Sequence, residues 1–156
     1  MAEKQHLYRP IVEWTGNTGR GTADYRAYER DYVISTPGKP DILGSSDPAF
    51  RGDKTRWNPE DLFVASISAC HKLWYLHLCS VAGVIVLDYR DEPIGTMQEA
   101  GSGSGRFTSV VLHPVVRVSP QSDQDKAMSL HHEAHRMCFI ASSVACPITT
   151  QATIVT

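Results

Sequence analysis

The amino-acid sequence predicts an α+β fold with a sheet that is mostly antiparallel. Two observations carry this expectation. Two segments combine helical caps with helical apolar spacing, and short β-prone runs bounded by glycine and proline lie before, between and after them. The order is strands, helix, strands, helix, strand. A length of 156 residues suits a single domain, 1–156, with a core of useful size.

Residues 8–34 read as strands. Ile11-Val12-Glu13-Trp14 is a short β-prone run, and Tyr25 to Ile34 continues as a partly solvated strand. Between them Gly16-Asn17-Thr18-Gly19-Arg20-Gly21 reads as a tight turn whose glycines tolerate positive φ. Residues 36–57 form a long loop punctuated by Pro37, Gly38, Pro40, Gly44, Pro48 and Gly52. Phe50 and Trp57 either fold over a pocket or pin this loop to the core.

Asn58 is a good N-cap, Pro59 suits the first helical position, and Glu60 and Asp61 complement the positive helix end. The helix runs to about Ala82, with Gly83 as its stop. Leu62, Phe63, Val64, Ile67, Leu73, Trp74, Leu76 and Leu78 make it apolar around much of its circumference, which suits a core or a large interface. Val84–Arg90 and Phe107–Leu112 read as strands joined across a flexible Gly101–Gly105 segment. Val115–Val118 continues the second strand past Pro114. Ser122 with Asp125 resembles a capping box for a helix from about Asp123 to Ser142, and Ala152–Val155 is a closing strand.

Composition excludes several function classes. Hydrophobic residues make up 42%, charged residues 21%, and the formal net charge is −2, so no basic surface for nucleic acid is expected. The N-terminal segment Met1 to His6 lacks an apolar signal core, and His71, Lys72 and His77 interrupt the longest apolar run. A cytoplasmic protein that neither crosses nor enters a membrane is the expectation. Four cysteines without a Cys-x-x-Cys are then more often free, catalytic or metal-bound than structural disulfides.

Two of them, Cys70 and Cys138, fall inside the two helical segments and point to thiol redox chemistry. A helical cysteine is by default a small hydrophobe. To act as a nucleophile, Cys70 needs a cation, because apolar burial opposes the thiolate and mid-helix placement denies it the dipole. Arg20, held between Gly19 and Gly21, is the first candidate; Arg26, Arg30, Arg51 and Arg56 are others. A buried arginine needs a carboxylate in turn, and Glu60 is the natural one. Ten residues of helix span ~15 Å and turn the two side chains to different faces, so Glu60 cannot touch Cys70 of its own helix. It reaches such a site from a second subunit or through other groups. Cys79, on another face, reads as core packing. His131, His135 and Cys138, at i, i+4 and i+7 with His132 beside them, form the rival arrangement, a His/Cys metal site. The plainer reading of these histidines is the solvated border of a core helix.

Asn58-Pro59-Glu60-Asp61-Leu62-Phe63-Val64-Ala65 followed by Ser68-Ala69-Cys70-His71 resembles the signature helix of the OsmC/Ohr family, which includes the organic hydroperoxide resistance proteins. Ala134-His135-x-x-Cys138 with Ala141-Ser142-Ser143, and Trp14-x-Gly16 with Gly19-Arg20-Gly21-Thr22, also match. The resemblance implies antiparallel sheets wrapped around two central helices in an intertwined homodimer, with active sites at the subunit interface. It implies a peroxidase without haem, metal or other cofactor that reduces organic hydroperoxides and, more weakly, hydrogen peroxide. Cys70 would be the peroxidatic cysteine and Cys138 the resolving one; Arg20 would stabilise the thiolate, Glu60 would orient Arg20, and a dithiol of lipoyl type would reduce the disulfide. Cys146-Pro147 keeps Cys146 as the alternative resolving thiol. His71 and Leu73-Trp74-Tyr75 resemble a distinct OsmC-like branch. A non-enzymatic thiol sensor on the same fold is the remaining alternative.

Overall fold

The structure, a computed structural model, describes residues 3–156 and divides into two compact units that meet in sequence between Leu62 and Phe63. The N-terminal unit holds one antiparallel sheet, in the order β1 (Ile11–Trp14), β2 (Tyr32–Ser35), β3 (Ile42–Gly44). β1 lies where the sequence places it. β2 does not, because Tyr25–Tyr28 is turned rather than extended. Arg30 donates to the carbonyls of Tyr28 and Tyr25 and lies over both rings, 4.0 and 4.5 Å from their centroids, which folds the segment back on itself. β3 and a short 3-10 turn (Pro48–Phe50) lie inside the span expected to be loop. Trp57 anchors that span through backbone bonds to Leu43 and Ser45, while its side chain stays 55% exposed.

The C-terminal unit contains most of helix α1 (Pro59–Ala82), then β4 (Val86–Arg90), β5 (Ile94–Glu99), β6 (Gly105–Leu112), β7 (Val115–Val118), α2 (Gln124–Met137), β8 (Ile148–Thr150) and β9 (Thr153–Val155). α1 keeps its predicted ends: Asn58 Oδ1 accepts from the Asp61 N–H at 2.7 Å, and Gly83 takes φ 75° just past Ala82. One stripe of it, Ile67, His71, Tyr75 and Cys79, is buried at strict four-residue spacing.

Two three-stranded sheets complete the unit, β4-β7-β9 and β5-β6-β8. The expected, mostly antiparallel pairing holds for β1·β2, β2·β3, β4·β7 and β5·β6, while β6·β8 and β7·β9 pair parallel and make both of these sheets mixed. β7 is not an extension of β6. Pro114 cannot donate to a ladder, so the chain leaves one sheet there and enters the other. The Pro114 carbonyl then receives the Thr153 N–H at 2.8 Å. β5 and β8 were not expected as strands, since polar residues interrupt both.

α2 starts at Asp123, whose carboxylate accepts from the Lys126 N–H at 2.9 Å; Ser122 instead bonds the Ile85 N–H and Ser119. α2 ends at Met137, earlier than expected, and a separate 3-10 turn occupies Ala141–Ser143. Tyr75, Cys79, Val84, Val116, Val118, Ala127, Leu130 and Ala134 form one apolar cluster. Ile67, Val110, Leu112 and Ile148 form the other. Among the described residues no helix is long and apolar enough to cross a membrane.

Candidate active site

The buried stripe of α1 runs antiparallel to α2 along a polar seam. At one level Tyr75 donates its hydroxyl proton to the Ala127 carbonyl at 3.0 Å. One turn earlier on α1 and one turn later on α2, His71 Nε2 and His131 Nδ1 lie 3.0 Å apart in a hydrogen bond. Further along, Cys70 lies close enough to Cys138 to help raise the pKa of its thiol. The structure therefore brings together the two cysteines that the sequence singles out.

Cys138 is the C-cap of α2 rather than an interior helical residue. The turn behind it fixes its sulfur: the Ala141 N–H donates to Sγ at 3.4 Å, and the Ser142 N–H donates to the Cys138 carbonyl at 3.0 Å. Phe139, the residue after the thiol, packs edge-on to Trp74 with centroids 5.5 Å apart. Burial pushes the Cys138 thiol up to about 11, and the Cys70 sulfur adds to the shift; the Ala141 N–H opposes them without overcoming them. Cys138 is thus a thiol at neutral pH. Cys70, half-buried, is the more accessible of the two. Cys79 is 1% exposed inside the apolar cluster, the packing role expected of it.

Cys146 lines a different region, a cavity of about 490 Å³ walled by Phe63, Phe107, Arg106, Val144 and Pro147. Its thiol is half-buried there.

His71 and His131 form a pair not foreseen from the sequence. Burial pushes His71 down to about 4; Asp91 opposes the shift and His135 adds to it. Burial, followed by the neighbouring His71, pushes His131 down to about 3. Both rings are neutral at neutral pH. The His131 ring stacks on Tyr75 at 3.9 Å between centroids and lies parallel to His71 at 5.3 Å. His131 is therefore interior, not on a solvated border. The proposed metal arrangement is not assembled either: His131 Nδ1 is engaged by His71, and among the described residues no three His, Cys, Asp or Glu groups gather to hold a metal. The signal that was available is the four-residue spacing of Ile67, His71, Tyr75 and Cys79, which puts His71 on the buried stripe.

The N-terminal unit carries the other two candidates. Asn17 Oδ1 accepts from the Gly19 and Gly21 N–H groups at 2.9 and 3.0 Å, and those glycines take φ 110° and 54°, so the bend forms as expected. Arg20 at its tip is 70% exposed and pairs with Asp24 at 3.5 Å, not with Glu60. Glu60 keeps one carboxylate oxygen, Oε2, buried without a partner, and after burial it is the second cause that raises the Tyr32 pKa. Arg56 is held by Asp31 and Asp53 at 3.3 and 3.8 Å, with Nη1 buried and unpartnered.

Two helices packed antiparallel and backed by mixed sheets define an α+β protein with two neighbouring cysteines, Cys70 and Cys138, at its helix seam. The sequence pattern of the OsmC-like protein family matches residues 52–153, and the chain belongs to that family. Its fold is similar to an OsmC-like protein of unknown function from Vibrio cholerae, at 29% identity and a TM-score of 0.86, covering 95% of this chain and 99% of that one. It is similar in fold to an organic hydroperoxide resistance protein from Legionella pneumophila, at 18% identity and a TM-score of 0.67, covering 97% and 100%. It is likewise similar to one from Elizabethkingia anophelis, at 19% identity and a TM-score of 0.67, covering 97% and 99%. No curated protein matches it in sequence.

Proposed function

We propose that this chain is a cysteine-based peroxidase that reduces organic hydroperoxides, and hydrogen peroxide more weakly, as a cytoplasmic homodimer. The proximity of Cys70 to Cys138, in a chain of the OsmC-like family, is the observation that carries the reading. The Cys70 thiolate attacks the outer peroxide oxygen; the O–O bond breaks, the alkoxide takes a proton and leaves as alcohol, and Cys70 becomes a sulfenic acid. The Cys138 sulfur then attacks the Cys70 sulfur. The S–S bond forms, the S–O bond breaks, and hydroxide leaves as water with the Cys138 proton. A dithiol, of lipoyl type, returns both sulfurs to thiols by exchange. No metal or other cofactor enters this cycle.

Cys138 is favoured over Cys146 as the resolving thiol because Cys70 lies near enough to shift its pKa, whereas Cys146 lines a separate cavity. Its raised pKa suits a partner that waits as a thiol until the sulfenic acid forms.

Arg20 is the proposed cation for the Cys70 thiolate, and Glu60 its orienting carboxylate. The buried, unpartnered Glu60 Oε2 supports a cation partner that the single chain does not supply. The N-terminal unit supports the dimer: among the described residues every buried apolar side chain lies at or beyond Ile67, while Ile11, Val12 and Leu43 are 55%, 65% and 51% exposed. A three-stranded sheet with neither face buried needs a cover.

Mass spectrometry after one equivalent of tert-butyl hydroperoxide tests the reading. The expected product is a disulfide between the Cys70 and Cys138 peptides, with continued peroxide consumption once dihydrolipoamide is added. A single equivalent consumed, with no turnover on the dithiol, establishes a sensor instead.

A further inference from the structure

The seam between α1 and α2 holds more than the two thiols. Its polar contacts keep one register: Tyr75 with Ala127, then His71 with His131, four residues back on α1 and four forward on α2. Cys70 is the neighbour of His71, and Cys138 lies two turns beyond His131 on the same face of α2.

We propose that the His71–His131 pair is a positioning device that sets the register of α2 against α1, and thereby the speed at which Cys70 and Cys138 close their disulfide. This rests on the peroxidase reading above.

Three observations carry it. First, the pair is fully inside, His71 at 1% and His131 at 4% exposure, and His131 is clamped flat against Tyr75. Second, the distal nitrogens, His71 Nδ1 and His131 Nε2, are buried without partners. Such orphans destabilise, and an apolar pair would fill the seam without them. What the imidazoles add is direction, since their bond exists at one register only, as a buried polar pair fixes register in a coiled coil. Third, the tolerance at the sulfurs is small. A disulfide needs Cα atoms within about 7 Å, and a slip of one helical turn moves α2 by about 5.4 Å. Ala127, Leu130 and Ala134, the apolar side chains that α2 gives to the core cluster, offer no directional bond of this kind.

The chemistry timed by the pair is the second step alone. Cys70 sulfenic acid and Cys138 thiol give the disulfide and water, with peroxide as the only oxidant. The histidines touch neither peroxide nor sulfur in this account.

The test separates closure from the step before it. The full-length protein, reduced, is mixed with one equivalent of tert-butyl hydroperoxide; dimedone traps Cys70 sulfenic acid while disulfide is counted by mass. In His131→Leu the ratio of closure to sulfenic-acid formation should fall about tenfold or more, as misplaced reacting atoms cause, with adduct accumulating at Cys70. In His131→Asn, whose Oδ1 stands near the place of Nδ1, closure should recover most of the wild-type rate. His71→Gln keeps a donor near Nε2 and should behave alike. Should His131→Leu not fold, the double variant His71→Leu/His131→Leu replaces it, with a matched apolar seam and no register bond. Closure at the wild-type rate in a folded leucine variant, or no recovery in His131→Asn, overturns the proposal. A wild-type protein that forms no Cys70–Cys138 disulfide overturns the peroxidase reading instead.

Discussion

The α1–α2 seam and the glycine bend of the N-terminal unit are built by opposite means. The seam is interior: His71, His131 and Cys138 are each under 5% exposed, the histidines bonded to each other and the Cys138 sulfur held by the Ala141 N–H. The bend is exterior: backbone geometry and Asn17 shape it, and its one charged side chain, Arg20, stands largely in solvent beside Asp24. The seam is complete in one chain. The bend is a finished shape without a buried partner, and Glu60 offers a buried oxygen without one either. The difference teaches what one chain finishes: the seam has its partners within the chain, whereas Arg20 stays in solvent and Glu60 Oε2 stays unpartnered.

Removing the sulfur from the seam is the largest perturbation. Cys70→Ser should lower kcat/KM for an alkyl hydroperoxide by about 10³-fold or more, since loss of a nucleophile removes the covalent route altogether. Peroxide consumption at the wild-type rate in that variant would sink the assignment. Removing the charge from the bend comes next. Arg20→Ala should cost about 10²-fold in the same constant, the scale of one lost stabilising donor. It should also raise the pH at which Cys70 is alkylated by iodoacetamide, with no change in thermal stability, because Arg20 is 70% exposed in the single chain. An unchanged alkylation profile would detach the bend from the seam.

The sequence shows the seam better than the bend, for physical reasons. α1 is legible end to end because its caps are local: Asn58, Pro59 and Gly83 each act within a turn of themselves. Cys70 and Cys138 stand out through the motifs around them, since a helical cysteine is by default a small hydrophobe, as Cys79 is. The sheets are less legible. β8 pairs parallel with β6, and β9 with β7, and a parallel register is set by long-range packing that no local pattern records. The Tyr25–Tyr28 turn was hidden by residues with high β-propensity, and only the Arg30 contacts to two carbonyls and two rings override it. His131 misleads because a histidine among His132, Glu133 and His135 reads as solvated, whereas its partner is sixty residues away. Arg20 is placed on its bend correctly, and its partner is Asp24, four residues on.

Acid separates the two regions by a different route. His71 and His131 have pKa values depressed by burial from near 6.5 to about 4 and about 3, so the unfolded chain binds more protons than the folded one below pH 6.5. Their contribution to stability is fully present above that pH and is lost as pH falls toward the folded values. Asp91, bonded to Ser68 and to the His113 N–H, faces His71 and moderates the loss, while His135 increases it. Denaturant titrations from pH 7 to 4.5 should show a loss of up to about 5 kcal/mol, since each ring contributes about two log units at about 1.4 kcal/mol each over that range. The double variant His71→Leu/His131→Leu should lose distinctly less over the same range. Equal slopes in the two proteins would mean that the rings are not neutral in the fold.

The smallest effect concerns the packing of α1 on the sheets rather than either site. A methyl group at Gly95 would fall 2.5 Å from Val64 Cγ2 on α1 and 2.8 Å from Phe107 Cε1 on the adjacent strand. Both neighbours are side chains that pack on the cluster of Ile67, Val110, Leu112 and Ile148, so they yield only by disturbing it. Gly95→Ala should therefore destabilise by about 1–2 kcal/mol, the scale of modest overpacking. The strain enters two turns before Cys70 on α1 and leaves the His71–His131 level untouched. Disulfide closure after one equivalent of hydroperoxide should then keep its wild-type rate while the melting temperature falls. A closure rate that fell in step with stability would show that the thiols answer to general packing, and the seam would lose its standing as a separately built device.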